Sequence, residues 1–192
     1  MRKQKGFSLI ELLIVVAIIL IIAAIAIPNL LRAKISANES SAVGSIRNII
    51  TAETSYSASY PAYGFPVSIE NMGPGVGAQA CPAGGPTFTA ACLLDSALAG
   101  AATSDNKSGY VFEAKADPAS GVLDPVNGIT NYTSFTASAA PIAFNKGGVR
   151  LFCAGEDGVL RYDLNAAGTQ AAQDFTPWAT TCTTVGTWFV LQ

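Results

Sequence analysis

The sequence predicts an α+β fold in which one long N-terminal helix packs, ladle fashion, on a small antiparallel sheet of three to four strands. Three observations predict it. A charge-free apolar run extends from Leu12 to Leu31, interrupted in character only by Pro28 and Asn29. Behind it, apolar residues recur at helical spacing to about Tyr60. Beyond Pro61 the pattern changes to short alternating segments set between Gly, Pro, Asn and Asp, the mark of strands and turns.

The helix is predicted over 7–60 in two halves. Its first half, 7–31, contains about twenty uncharged residues, which at about 1.5 Å each span roughly the 30 Å hydrocarbon core of a bilayer. In the second half, 32–60, Ile35, Ala42, Ile49 and Tyr56 recur every seven residues, and Val43, Ile46 and Ile50 fill the adjoining stripe. Arg32, Lys34, Asn38, Arg47 and Asn48 are polar between them, so this half reads as amphipathic. The whole rod would be roughly 80 Å long. That exceeds a compact domain, so lipid or other helices must cover the first half. Two places weaken it. Pro28 removes a hydrogen bond and crowds the preceding turn, and Gly44 costs about 1 kcal/mol relative to alanine.

Residues 61–192 make up the predicted sheet domain. GYVFEAKA from Gly109 sets Tyr110, Phe112 and Ala114 against Val111, Glu113 and Lys115, which predicts one apolar face and one charged face. NYTSFTASA from Asn131 is a second strand. VRLFCAGEDGVLRYDL from Val149 reads as a hairpin turning at Asp157-Gly158, with Val149, Leu151 and Cys153 pointing inward. TWFVL near the end supplies a further strand. Four cysteines, Cys81, Cys92, Cys153 and Cys182, allow three pairings. None has C-x-x-C spacing and the chain has no histidine, so structural disulfides are favoured over metal or thiol chemistry. Cys81 with Cys92 and Cys153 with Cys182 is the favoured pairing, each link worth about 3 kcal/mol through loop closure.

Composition excludes several function classes. Eleven basic and thirteen acidic residues leave a net charge of −2, and past the basic head the cations form no stripe, so nucleic acid is not the main partner. Without histidine the commonest general base and metal ligand is missing, and no nucleophile with a base and an orienting group can be assembled. No enzyme activity, catalytic residue, metal or cofactor is therefore assigned. Asp117, Asp124, Glu156 and Asp157 match no oxygen-ligand loop and read as solvated turn acids. Gly73, Gly75 and Gly77 lack the flanking strand and helix of a phosphate cradle. Asn38, Asn106 and Asn131 each begin a glycosylation sequon, a pattern common by chance. Phe7, Tyr56, Tyr60, Tyr63 and Phe65 read as packing residues rather than an electron path.

The head poses the central question. Arg2, Lys3 and Lys5 precede the apolar run, the layout of an export signal, and they place the sheet domain on the outer side of the membrane. Glu11 stands at the start of the bilayer-like stretch, where an unpaired charge costs several kcal/mol. Cleavage after Ala24-Ile25-Ala26 would release a soluble protein, and an uncut head would leave a simple anchor. Neither gives Glu11 a partner.

The stretch Lys5-Gly6-Phe7-Ser8-Leu9-Ile10-Glu11, followed by the apolar run, resembles the leader of type IV pilins and of the related pseudopilins of type II secretion. The likeness covers about the first 60 residues. It implies a cleaved leader, 1–6, with Gly6 before the prepilin peptidase cut and Phe7 as a new, N-methylated terminus. It implies that Glu11 pairs with the terminal amine of a neighbouring copy, and that the helix around Pro28 melts on assembly, an alternative to a simple proline kink. The partners implied are further copies of the chain, packed through their N-terminal helices, with the prepilin peptidase and an inner-membrane assembly platform. A single-pass inner-membrane protein would thus become an extracellular pilus used for adhesion, motility or DNA uptake. The alternative is a pseudopilin of a periplasmic secretion filament. Paired disulfides, a long loop region from Met72 to Ala102 and the lack of a calcium loop lean toward the pilus.

Overall fold

The computed structural model describes residues 8–75, 77–78, 80–99, 107–164, 182 and 188–191. Helix α1 runs unbroken through Leu9–Ser59, so at about 1.5 Å per residue it is about 76 Å long. It continues through Pro28. At its other end Tyr60 still donates to the Tyr56 carbonyl at 2.8 Å, and Pro61 then forbids continuation because the residue before a proline avoids the helical region.

Two sheets follow. The main sheet has five antiparallel strands in the order β1 (Tyr110–Ala116), β4 (Phe135–Pro141), β5 (Leu151–Gly155), β6 (Arg161–Asp163) and β7 (Phe189–Val190). A separate ribbon pairs β2 (Gly121–Leu123) with β3 (Thr130–Tyr132). A one-turn helix, α2, spans Ser96–Ala99. The α+β ladle stands, with more strands than the three to four expected.

The expected strand from Asn131 divides at Thr133-Ser134. There Ser120 donates its hydroxyl to the Asp117 carbonyl at 2.7 Å and accepts the Ser134 N–H at 3.2 Å. That side chain takes the hydrogen bond a ladder would need, so β3 stays on the ribbon and β4 joins β1. The hairpin at Asp157-Gly158 forms between β5 and β6, with Gly158 at φ +66° and its N–H on the Gly155 carbonyl at 3.0 Å.

The face of the sheet toward the helix carries Tyr110, Phe112, Phe135 and Phe152 at its ends and Ala114, Ala137, Ala139 and Ala154 between them. Those alanines are 0–1% exposed, and their lack of bulk lets Ile46, Ile49 and Tyr56 of α1 seat against the strands.

The opposite face corrects one expectation. Glu113 lies there but is only 4% exposed, in a row with Ser138 and Cys153. Leu151 and Cys153 share this side, away from the helix, and both are buried, so the thiol points inward as expected. Cys182, bonded to Cys153, is buried as well. This face is covered, so Glu113 loses water and forms its ion pair with Lys115, two residues along the same strand.

Candidate assembly surface

Helix α1 divides by what touches it. Within its second half, Ala42, Ser45, Ile46, Ile49, Ala52, Glu53 and Tyr56 are buried against the sheet domain. The boundary is a polar clamp. The Asn38 amide donates to the Gly147 carbonyl at 2.7 Å, and Ser41 meets Ser108 at 2.9 Å. Glu39 accepts the backbone N–H groups of Val149 and Arg150 at 3.0 and 3.1 Å and faces the Arg150 guanidinium at 3.7 Å. These bonds fix the angle at which the rod leaves the domain.

Before the clamp, the rod is bare. Every large apolar side chain from Leu9 to Leu31 is 46–79% exposed. Moving each from water into lipid or against another helix is worth on the order of 1–2 kcal/mol. The segment is long and apolar enough to cross a membrane, and none of the described residues covers it. It is an unfinished core.

At its tip Glu11 has a local partner. The Ser8 N–H donates to Glu11 Oε2 at 2.9 Å, so Ser-x-x-Glu closes the first turn as half of a capping box. A carboxylate there also meets the positive end of the helix dipole. The signal was present in the spacing of Ser8 and Glu11, beside the pairing that the resemblance implied. Gly6 and Phe7 lie outside the described residues. Pro28 sits in the bare half, remote from the clamp.

The structure joins Cys81 to Cys92 and Cys153 to Cys182, with Cα atoms 5.9 and 6.0 Å apart. Cys81 is exposed, whereas Cys153 and Cys182 are 0 and 3% exposed. Among the described residues no group of three metal-ligating side chains gathers. Of the turn acids, Asp157 instead binds Arg161, whose guanidinium holds its carboxyl below the usual range.

Sequence reasoning missed Glu53. It is wholly buried, and neither carboxylate oxygen has a hydrogen-bond donor among the described residues. Burial pushes its carboxyl well above the usual carboxylate range. Its place was legible: Glu53 follows Ile46 by seven and Ile49 by four, on the apolar stripe. Next to it along the helix, the Tyr56 hydroxyl donates to the Phe88 carbonyl at 2.6 Å, and burial pushes that hydroxyl up to about 12.

The family described as the prokaryotic N-terminal methylation motif matches residues 1–27. The type IV wide pilus major component PilA4 of Thermus thermophilus is 67% identical over 39 residues, 20% of this chain and 30% of that protein. The type IV major pilin protein PilA of Myxococcus xanthus is 46% identical over 54 residues, 28% of this chain and 24% of that protein. The chain thus matches less than a third of the length of these relatives. No solved structure matches it.

Proposed function

We propose that this chain, which carries the N-terminal helix of the type IV pilin family, is a structural, non-catalytic subunit that polymerises into a type IV pilus. One observation carries the reading: the helix is uncovered by its own fold from Leu9 to Leu31, and its second half is clamped to the sheet domain. A rod with half its apolar surface bare is stable in lipid or among identical rods, and a filament core supplies the second environment.

In this reading the leader 1–6 is removed between Gly6 and Phe7 by a prepilin peptidase, and the Phe7 amine is methylated. Methylation retains its positive charge. In the inner membrane the helix is a single-pass anchor with residues 61–192 outside. On an assembly platform it leaves lipid for a bundle of its own kind, where Glu11 exchanges its bond from Ser8 for the amine of a neighbour. In a bundle of apolar rods many axial registers are nearly equal in energy, and one buried ion pair singles out one of them. Pro28 gives the bare half a place to yield, because the carbonyl one turn earlier lacks its N–H. Both relatives are named as type IV pilus or major pilin proteins, which favours the pilus over the secretion pseudopilus.

The test is mass spectrometry of the membrane fraction with labelling of intact cells. The expected mature chain begins at methylated Phe7, and antibody to the sheet domain decorates external fibres. A terminus at Ile27, or domain epitopes confined to the periplasm, rejects the pilus subunit.

A further inference from the structure

We propose that the cavity between the exit of α1 and the β2–β3 ribbon is a binding site for a neutral sugar ring. It encloses about 310 Å³. That lies at the small end of ligand clefts, about 300–1,000 Å³, and suits one or two rings rather than a long chain.

Its walls are built before any ligand arrives. Tyr63 and Phe88 stack with centroids 4.4 Å apart and planes at 8°, and Phe65 leans on the core residue Phe135 at 4.7 Å. The Phe88 carbonyl is held by the Tyr56 hydroxyl, and the loop bearing Phe88 is closed by Cys81–Cys92. Opposite, the 63–65 turn is stitched to the ribbon: Tyr132 N–H donates to the Tyr63 carbonyl, and Phe65 N–H to the Tyr132 carbonyl, both at 2.9 Å. Gly64 permits this approach. It has φ +70°, and a Cβ there would lie 2.1 Å from the Tyr132 carbonyl oxygen.

The lining chemistry selects the ligand. No Asp, Glu, Lys or Arg lines the cavity, so a phosphate would meet no cation and an ammonium no carboxylate. The aromatic and aliphatic walls suit the flat C–H face of a pyranose. Tyr63, Thr130 and Tyr132 line it with hydroxyls that take no hydrogen bond among the described residues, and hydroxyls both donate and accept, as sugar hydroxyls do. A second groove beside α1, lined by Asn48, Thr51, Ser55, Asp95 and Lys107, offers no aromatic face and serves as the internal control.

The test is saturation-transfer NMR on the full chain in a polyoxyethylene ether detergent, which carries neither sugar nor choline. The probes are the methyl glycosides of glucose, galactose, mannose and N-acetylglucosamine, with choline and inorganic phosphate as charged comparators. At least one glycoside is expected to bind saturably at about 1 mM or tighter, through its ring C–H protons. Ile129→Trp, which fills the cavity, abolishes the signal. Tyr63→Phe and Thr130→Val keep the walls and weaken binding about three- to tenfold, the loss of one neutral hydrogen bond. Thr51→Val in the second groove leaves it unchanged. Saturable binding by none of the four glycosides, survival of the signal in Ile129→Trp, or a preference for choline or phosphate overturns the proposal.

Discussion

At the scale of single residues, two glutamates on one helix have opposite fates. Glu11 sits at the exposed tip, where a hydrogen bond from Ser8 is available within the chain and a neighbour's amine is proposed after assembly. Capping needs an acceptor, and pairing needs a charge, so Glu11→Gln separates them. The amide oxygen can still accept from Ser8, so helix content by circular dichroism should hold while the yield of sheared fibres falls at least tenfold. Undiminished fibres would leave Glu11 as a cap alone. Glu53 is buried, and the sign of its effect follows from proton binding. At a pH below its ordinary value of 4.5, both folded and unfolded states hold the proton. As pH rises, the unfolded chain releases it first and the folded chain keeps it, so stability falls through a window from 4.5 up to the raised folded value. Glu53→Gln should remove that slope. Thermal unfolding of wild type and variant should converge near pH 4 and diverge increasingly toward neutrality, with the variant the more stable. Parallel curves would refute a protonated Glu53.

At the scale of elements, the glycines show where the fold has room. Gly44 lies on the exposed side of α1, and a Cβ there would meet nothing within 4 Å. Gly44→Ala should therefore stabilise the chain by about 1 kcal/mol through helix propensity. Gly148 is the opposite case, since a Cβ there would fall 2.0 Å from the Tyr110 hydroxyl, which donates to the Arg150 carbonyl at 2.9 Å. Gly148→Ala should cost about 2–3 kcal/mol by displacing that ring from the core and disturbing the loop that Glu39 clamps. Urea unfolding in a non-ionic detergent reads both. If the two shifts had the same sign, the packing described around Tyr110 would be wrong. The clamp itself could not be read from the chain, because Asn38, Glu39 and Ser41 look like an ordinary solvated helix face until the 147–150 loop folds back over a hundred residues of sequence to meet Asn38 and Glu39, and Ser108 arrives beside Ser41.

For the whole molecule, the disulfides divide the domain into an accessible clasp and a buried tie. Cys81–Cys92 closes an exposed loop, and Cys153–Cys182 lies against the covered face of the sheet. Thiol reductants must reach a sulfur to attack it. Under native conditions, mild reductant followed by alkylation should label Cys81 and Cys92 well before Cys153 and Cys182, and the second pair should react only as the domain unfolds. Simultaneous labelling by peptide mass spectrometry would count against the burial described for β5. Each link contributes about 3 kcal/mol by closing its loop, so loss of the second should lower thermal stability markedly.

The sequence by itself determined the long helix, its division into bare and amphipathic halves, the strands at β1 and β5 and the turn at Gly158. Each is set by spacing that repeats within a few residues, 3.6 for the helix and two for the strand, and local patterns survive without knowledge of neighbours. The sequence also carried the leader resemblance through Gly6, Phe7 and Glu11. Tertiary structure alone decided that Glu113 is buried, that the Asn131 strand divides and that the sheet has five strands. Those outcomes depend on what packs on the second face of a strand or helix, and that is fixed by contacts between residues tens to a hundred positions apart, which no local period encodes.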